Sequence, residues 1–255
     1  MEIITDLEKL QKAAAPLEFL TDIGIDKEEG NKIISDLKAY LDKDKTVVAI
    51  AAPQLGIDKR IFCMRFQDTI KTFINPVITK KAKYNIQPET FSSMPGKEIL
   101  ISRPEEITVV YYTDEYKYEE NKLLGIAARV FDQNAQLLDG VTPDFMGVVT
   151  DIEEVGSLWD ATNEEMAQLK DMYSQIVQKR LEALNAKVKD DPELLKKYNE
   201  LKFTEKVING EAALVGRSTS AKGQAVAALS LKKSRQAGQI HNRAQRVNFV
   251  NKKRK

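Results

Sequence analysis

The sequence predicts an α+β fold, followed by added helices and an extended basic tail. Three observations carry this reading. Stretches rich in β-branched and aromatic residues recur between turn signals in the first half, among them RIFCMRF (60–66) and EITVVYYTDEY (106–116). Two segments, 27–42 and 122–139, place apolar residues at helical spacing among them. After about residue 155 strand signals stop, and helical patterns give way to a polar, basic end.

Taken in order, residues 3–14 read as a short helix or an arm. KEEGNKIISDLKAYLD (27–42) sets Ile33, Ile34, Leu37, Tyr40 and Leu41 on one helical face. TVVAIAAPQLG runs apolar into a proline turn. RIFCMRF alternates as a strand, and TFINPVITK reads as another with an internal Asn-Pro break. ETFSSMPG (89–96) is a loop ending in Pro-Gly, and EITVVYYTDEY is the next strand. Residues 122–139 follow a helical pattern that ends at Gly140 as a cap.

Beyond residue 155, Thr162 and Glu165 have the spacing of a capping box. Met166, Leu169, Tyr173, Ile176, Val177, Leu181, Leu184 and Val188 then form an apolar stripe, suited either to a coiled-coil seam or to docking on the chain's own body. Asp191-Pro192 is an Asp cap with Pro in the first turn of a second helix. The two helices form a hairpin, or one docks on a partner. Trp159 is expected to anchor this region to the body. The expected organisation is a body over 1–155, a helical extension over 156–211 and a basic tail over 212–255.

Composition removes several chemistries. The 255 residues include one cysteine, Cys63, and one histidine, His241. An internal disulfide cannot form, and a Cys/His zinc centre lacks ligands. Cys63 sits in an alternating strand and reads as a small core residue; His241 reads as a surface or partner contact. No apolar run approaches the length of a membrane span. MEIITDLEKL is acidic and amphipathic, unlike a secretion or transit signal, so a cytoplasmic location is expected.

Charge is unevenly placed. The last acidic residue is Glu211, and eleven Lys and Arg follow from Arg217 onward. Lys232, Lys233, Arg235, Arg243, Arg246, Lys252, Lys253, Arg254 and Lys255 are the candidate partner-binding residues there. Polybasic segments bind nucleic-acid backbones without reading sequence. Phe249 is the sole aromatic residue of 217–255, which disfavours base stacking.

FDQNAQLLDG (131–140) carries the chemical question. Gln133 and Leu137 lie one turn apart on one face, and Asn134 follows Gln133. A metallohydrolase helix would have His, Glu and His in those places. The neighbouring landmarks sharpen the point. AIAAPQLGIDKRIF (49–62) resembles the first signature of peptide deformylases. ETFSSMPG (89–96) resembles the second, and ARVFDQNAQLLDG (128–140) the third. FINPVITK (73–80) and SRPEEITVVYYTDE (102–115) are similar to the strands that follow the first two signatures. Five matches in order, across roughly residues 5–150, identify a deformylase-like protein with antiparallel sheets around a central helix.

The resemblance implies a role for each matching position. Gln54 falls on the glutamine that contacts the metal-bound water or formyl oxygen. Phe91 falls on the cysteine ligand and Ser92 on the leucine whose amide holds the oxyanion. Gln133 and Leu137 fall on the two histidine ligands, and Asn134 on the catalytic glutamate. Two glycines beside the substrate groove fall on Val47 and Ala49. Phe91 and Leu137 would fill with hydrocarbon the space of thiolate and metal. Gln54 itself is expected in a turn or buried hydrogen-bonding role. The expectation on these positions is a chain that is no enzyme and holds neither metal nor other cofactor. The expected function is a structural protein of a large assembly, first a tailed-phage virion (tail, baseplate or neck) assembled in the host cytoplasm. Its expected partners are other structural proteins, with nucleic-acid backbone as a second class for the tail. A ribosome-associated protein and a residual metal-dependent deformylase are the alternatives.

Overall fold

The sequence predicts strands that alternate in character, and the structure shows what the alternation separates. In a computed structural model describing residues 2–21, 24–185, 187–188 and 191–211, Ile61 and Cys63 point to one face of the sheet and Phe62 and Met64 to the other. The first face is covered by a helix bearing Ile33, Ile34, Leu37 and Leu41. The second is covered by the helix of FDQNAQLL, whose Phe131 stacks edge-on against Phe62 and Phe73, each at 5.0 Å. All nine basic residues singled out in the tail lie outside the described residues.

The elements are α1 (Leu7–Leu10), β1 (Leu20–Thr21), β2 (Gly24–Ile25), α2 (Glu28–Lys43), β3 (Ala49–Ala51), β4 (Ile61–Phe66), β5 (Thr69–Glu89) and β6 (Lys97–Tyr112). There follow β7 (Tyr118–Leu124), α3 (Ile126–Leu138), α4 (Pro143–Met146), β8 (Val148–Asp151), α5 (Ile152–Val155), α6 (Asn163–Asn185) and α7 (Pro192–Ile208). The main sheet runs β3-β4-β5-β6-β7 in antiparallel pairs, with β8 against the start of β6. Short 3-10 turns cover Ala52–Leu55 and Leu158–Asp160. The fold is thus the α+β arrangement expected, an antiparallel sheet packed against a helix on each face.

Two elements differ from the sequence reading. The Asn-Pro break lies inside its strand, as read, but the strand runs well past Lys80. Asn75 adopts a left-handed conformation, φ 49°, and the register shifts between Ile74 and Val77. Its side chain replaces the ladder by bonding the N–H and C=O of Leu17, both at 2.8 Å. The strand therefore continues to Glu89. The helical pattern over 122–139 also begins too early. Lys122, Leu123 and Leu124 pair with Thr108, Ile107 and Glu106, and Gly125, at φ 57°, turns the chain into α3.

The segment after 155 shares the body's core. Tyr173, Val177 and Leu181, on successive turns of α6, are buried with Phe131 and Leu138. The Tyr173 hydroxyl accepts the N–H of Ser102 at 3.2 Å, and burial pushes its pKa up to about 12. Arg180 donates to the carbonyls of Phe145 and Gly147 at 2.6 and 3.1 Å. The stripe is thus a docking face. Thr162 and Glu165 form the capping box, and Asp191 accepts from the N–H groups of Glu193 and Leu194 to cap α7. The expected anchor is displaced by one residue. Buried Glu98 accepts the N–H of Leu158 and the hydroxyl of Ser157. That turns Leu158 inward and leaves Trp159 60% exposed.

Gly140 tests how tightly α3 is seated. It has φ +70°, and a Cβ there would lie 2.7–2.8 Å from backbone atoms of Gln11, Lys12 and Ala13. Gly140→Ala is expected to cost about 2–4 kcal/mol, measured by urea unfolding, through strain and main-chain displacement together.

Candidate functional site

The positions singled out in the sequence do gather around α3 and the loop after β5. Their chemistry is that of a hydrogen-bonded, packed region. Gln54 is buried at the end of the first 3-10 turn. Its Oε1 accepts the N–H of Ala51 at 3.0 Å, and its Nε2 donates to the hydroxyls of Ser92 and Ser93 at 2.9 and 3.0 Å. The amide therefore ties the first signature to the second, as a buried glutamine must. Gln133 donates to Glu89 at 2.9 Å and to the carbonyl of Thr90 at 3.0 Å. Asn134 is turned back on its own helix, donating to the carbonyl of Val130 at 2.8 Å. Phe91 and Leu137 are both buried in the main apolar core.

A second set of residues, not singled out in the sequence, dominates the electrostatics. Arg103 on β6 is fully buried. Its Nε and one terminal nitrogen reach the two oxygens of Glu89 at 2.8 and 2.7 Å. The other terminal nitrogen donates to Asp132 and to Gln136, both at 2.9 Å. Lys81 pairs with the remaining oxygen of Asp132 at 2.8 Å and with Glu200 of α7 at 3.5 Å. Gln136 also donates to Glu200 at 3.1 Å. Burial alone would raise the Asp132 carboxyl, but Lys81 and Arg103 hold it below the usual carboxylate range. The sequence signal was present but faint: Asp132 interrupts the apolar face of a helix, and Glu89 opens the second signature-like stretch. Cys63 is buried, and burial pushes its thiol up to about 11, which keeps it protonated and unreactive.

An antiparallel sheet wrapped on one central helix, with the three signature-like stretches converging there, defines a deformylase-type protein. The profile of the polypeptide deformylase family matches residues 2–144, over half of the chain, and the chain belongs to that family. It is 36% identical over 95 residues to a peptide deformylase of Thermotoga maritima, across 37% of this chain and 58% of that protein. The chain thus spans less than two thirds of the length of that relative. The crystal structure of the Thermotoga maritima enzyme superposes with a TM-score of 0.50 at 28% identity, covering 57% of this chain and 95% of that one. A probable peptide deformylase from Synechococcus phage S-SSM7 superposes with a TM-score of 0.50 at 26% identity, covering 56% and 96%.

These matches correct one expectation. The chain was expected to be no enzyme, whereas its family and the relatives it matches are named for an enzyme, peptide deformylase. The metal that the family resemblance implies is a separate matter of donors. A phenyl ring, an amide already donating to Glu89 and an isobutyl group stand at the three positions, and these do not fit a metal ion. Among the described residues no group of three or more His, Cys, Asp or Glu could hold one.

The depressed Asp132 carboxyl has a pH consequence. Its stabilising contribution is present above the ordinary value of 3.8 and is lost as pH falls through the lower folded value. Asp132→Asn is expected to cost about 3 kcal/mol at pH 7, because Arg103 and Lys81 lose their shared anion. The variant should also lose less stability than the parent between pH 5 and pH 2, read by urea unfolding across that range.

Proposed function

We propose that this deformylase-family chain serves as a structural component of a large protein assembly, with a tailed-phage virion the first place to look. The observation that carries this reading is the region beyond the family match. Residues 145–211 lie outside the matched 2–144, yet α6 is built into the same core as the body. The extension is thus an integral addition to the fold, which fits a surface built for partners. The similarity to a phage deformylase structure supports the phage setting. Other structural proteins are the proposed partners. The basic residues from Lys232 to Lys255 are proposed to contact them or a nucleic-acid backbone.

Sedimentation of the native protein from a gentle lysate, with and without RNase, tests the reading. Co-migration with other structural proteins in a heavy particle that survives RNase is the expected result. A shift to light fractions after RNase would replace it with a ribosome-associated role.

The names of the relatives favour a second reading, peptide deformylation. Turnover of a formyl-methionyl peptide, dependent on added iron, nickel or zinc and lost on Gln54→Ala, would establish it. Gln54 supports that test because its amide still joins the first and second signature-like stretches. No turnover above the rate of a heat-inactivated sample would remove this reading.

A further inference from the structure

The two helices of the extension are attached by different physics. α6 is held by packing: Tyr173, Val177 and Leu181 are all buried, and Arg180 caps the carbonyls of Phe145 and Gly147. α7 buries only Leu201 and Thr204 among its seventeen residues, and Leu195 stays 45% exposed. Besides Leu201, Tyr198 and Ile208 pack in part on the core, and the polar contacts of α7 with the body are charged. Lys196 reaches Asp139 at 2.5 Å, and Glu200 reaches Lys81 at 3.5 Å and the Gln136 amide at 3.1 Å. Lys197 lies over the Phe145 ring at 5.7 Å, and Phe203 meets Tyr84 at 4.7 Å.

We propose that α7 is a reversible latch on the body, closed by the Lys196–Asp139 and Glu200–Lys81 pairs and able to leave while α6 and the sheet stay folded. Each anchor keeps another partner when α7 leaves. Asp139 retains Arg60 at 2.7 Å, and Lys81 retains Asp132 at 2.8 Å. Opening therefore strands no fully unpaired charge in the body, which keeps its cost low. The apolar seal is thin, since Leu201 is its one fully buried apolar side chain and Tyr198 and Ile208 pack on the core only in part. Partial exposure of all four latch side chains lets water and salt compete for them.

The latch is not remote from the family site. Gln136 accepts from Arg103 with its oxygen and donates to Glu200 with its nitrogen. Arg103 holds Glu89, and Glu89 accepts from Gln133. One chain of hydrogen bonds thus runs from α7 to the first ligand position on α3. The proposal stands on this geometry and is independent of the assembly reading.

Hydrogen exchange on the full chain tests it, comparing 192–208 with 173–181 and with 99–111. Lys196→Glu with Glu200→Lys reverses the two pairs against their body partners. Exchange in 192–208 is expected to rise roughly tenfold, with the other two segments unchanged. Wild-type protein moved from low salt to about 1 M salt should show the same selective rise, and this arm decides the matter if the double variant fails to fold. The 126–138 amides should loosen slightly in the opened state through Gln136. No change in 192–208, or an equal rise in all three segments, would overturn the latch. The first would show packing to be enough to hold α7, and the second would make α7 part of the global folding unit.

Discussion

A guanidinium with no access to water sets the terms for the rest of this structure. Arg103 cannot be neutralised by losing its proton, so its buried donors need acceptors, and four of its five N–H groups are bonded. Glu89 meets two of them in a fork, from the end of β5, and Asp132 and Gln136 meet the third nitrogen from α3. Three elements are thereby fixed relative to one another by one side chain. Asp132 then needs a second cation, which Lys81 supplies, and Lys81 in turn faces Glu200. The charges alternate in sign along that path, which ends at the partly exposed carboxylate on α7. Hydrophobic packing gives the two cores their cohesion; this network gives β5, β6 and α3 their register.

The hydrophobic half of the fold was legible because burial writes a period into sequence. Ile61 to Met64 alternate between two cores, and Tyr173, Val177 and Leu181 recur at one helical turn. Boundaries were less legible where a polar side chain substituted for backbone pairing. Asn75 carries β5 through an Asn-Pro step because its amide bonds Leu17 in place of the ladder. Nothing local in TFINPVITK reveals a partner 58 residues away. The same reason displaced the anchor from Trp159 to Leu158. The decisive acceptor is Glu98, and a buried glutamate cannot be told from a solvated one in a single sequence.

The candidate site was marked in the sequence by its order of landmarks, and in the structure Gln54 bonds Ser92 while Gln133 and Asn134 lie on α3. The ion network was not legible. Its members, Lys81, Glu89, Arg103, Asp132 and Glu200, look like ordinary surface charges when read alone. Only their long-range pairing distinguishes them, with Arg103 and Asp132 fully buried and Lys81, Glu89 and Glu200 partly so. The network also bears on Gln133. The Gln133 amide is not idle, since Glu89 and the Thr90 carbonyl both accept from it. Its place in the fold is maintained by the same carboxylate that neutralises Arg103.

That sharing ties the part of the chain matched by the deformylase family to the part beyond it. A change at Glu200 alters the field at Lys81 and the hydrogen bond of Gln136. A change at Glu89 reaches Arg103 and Gln133 directly. Coupling of this kind requires a contiguous path with two arrangements, and α7 is the member of the path least bound by apolar contact. If α7 opens as proposed, a ligand or partner that prefers it docked would also favour the Gln136–Glu200 bond to α3, by the reciprocity of linked equilibria. The extension and the signature-bearing helix are thus joined by direct polar contacts at Gln136 and Lys81.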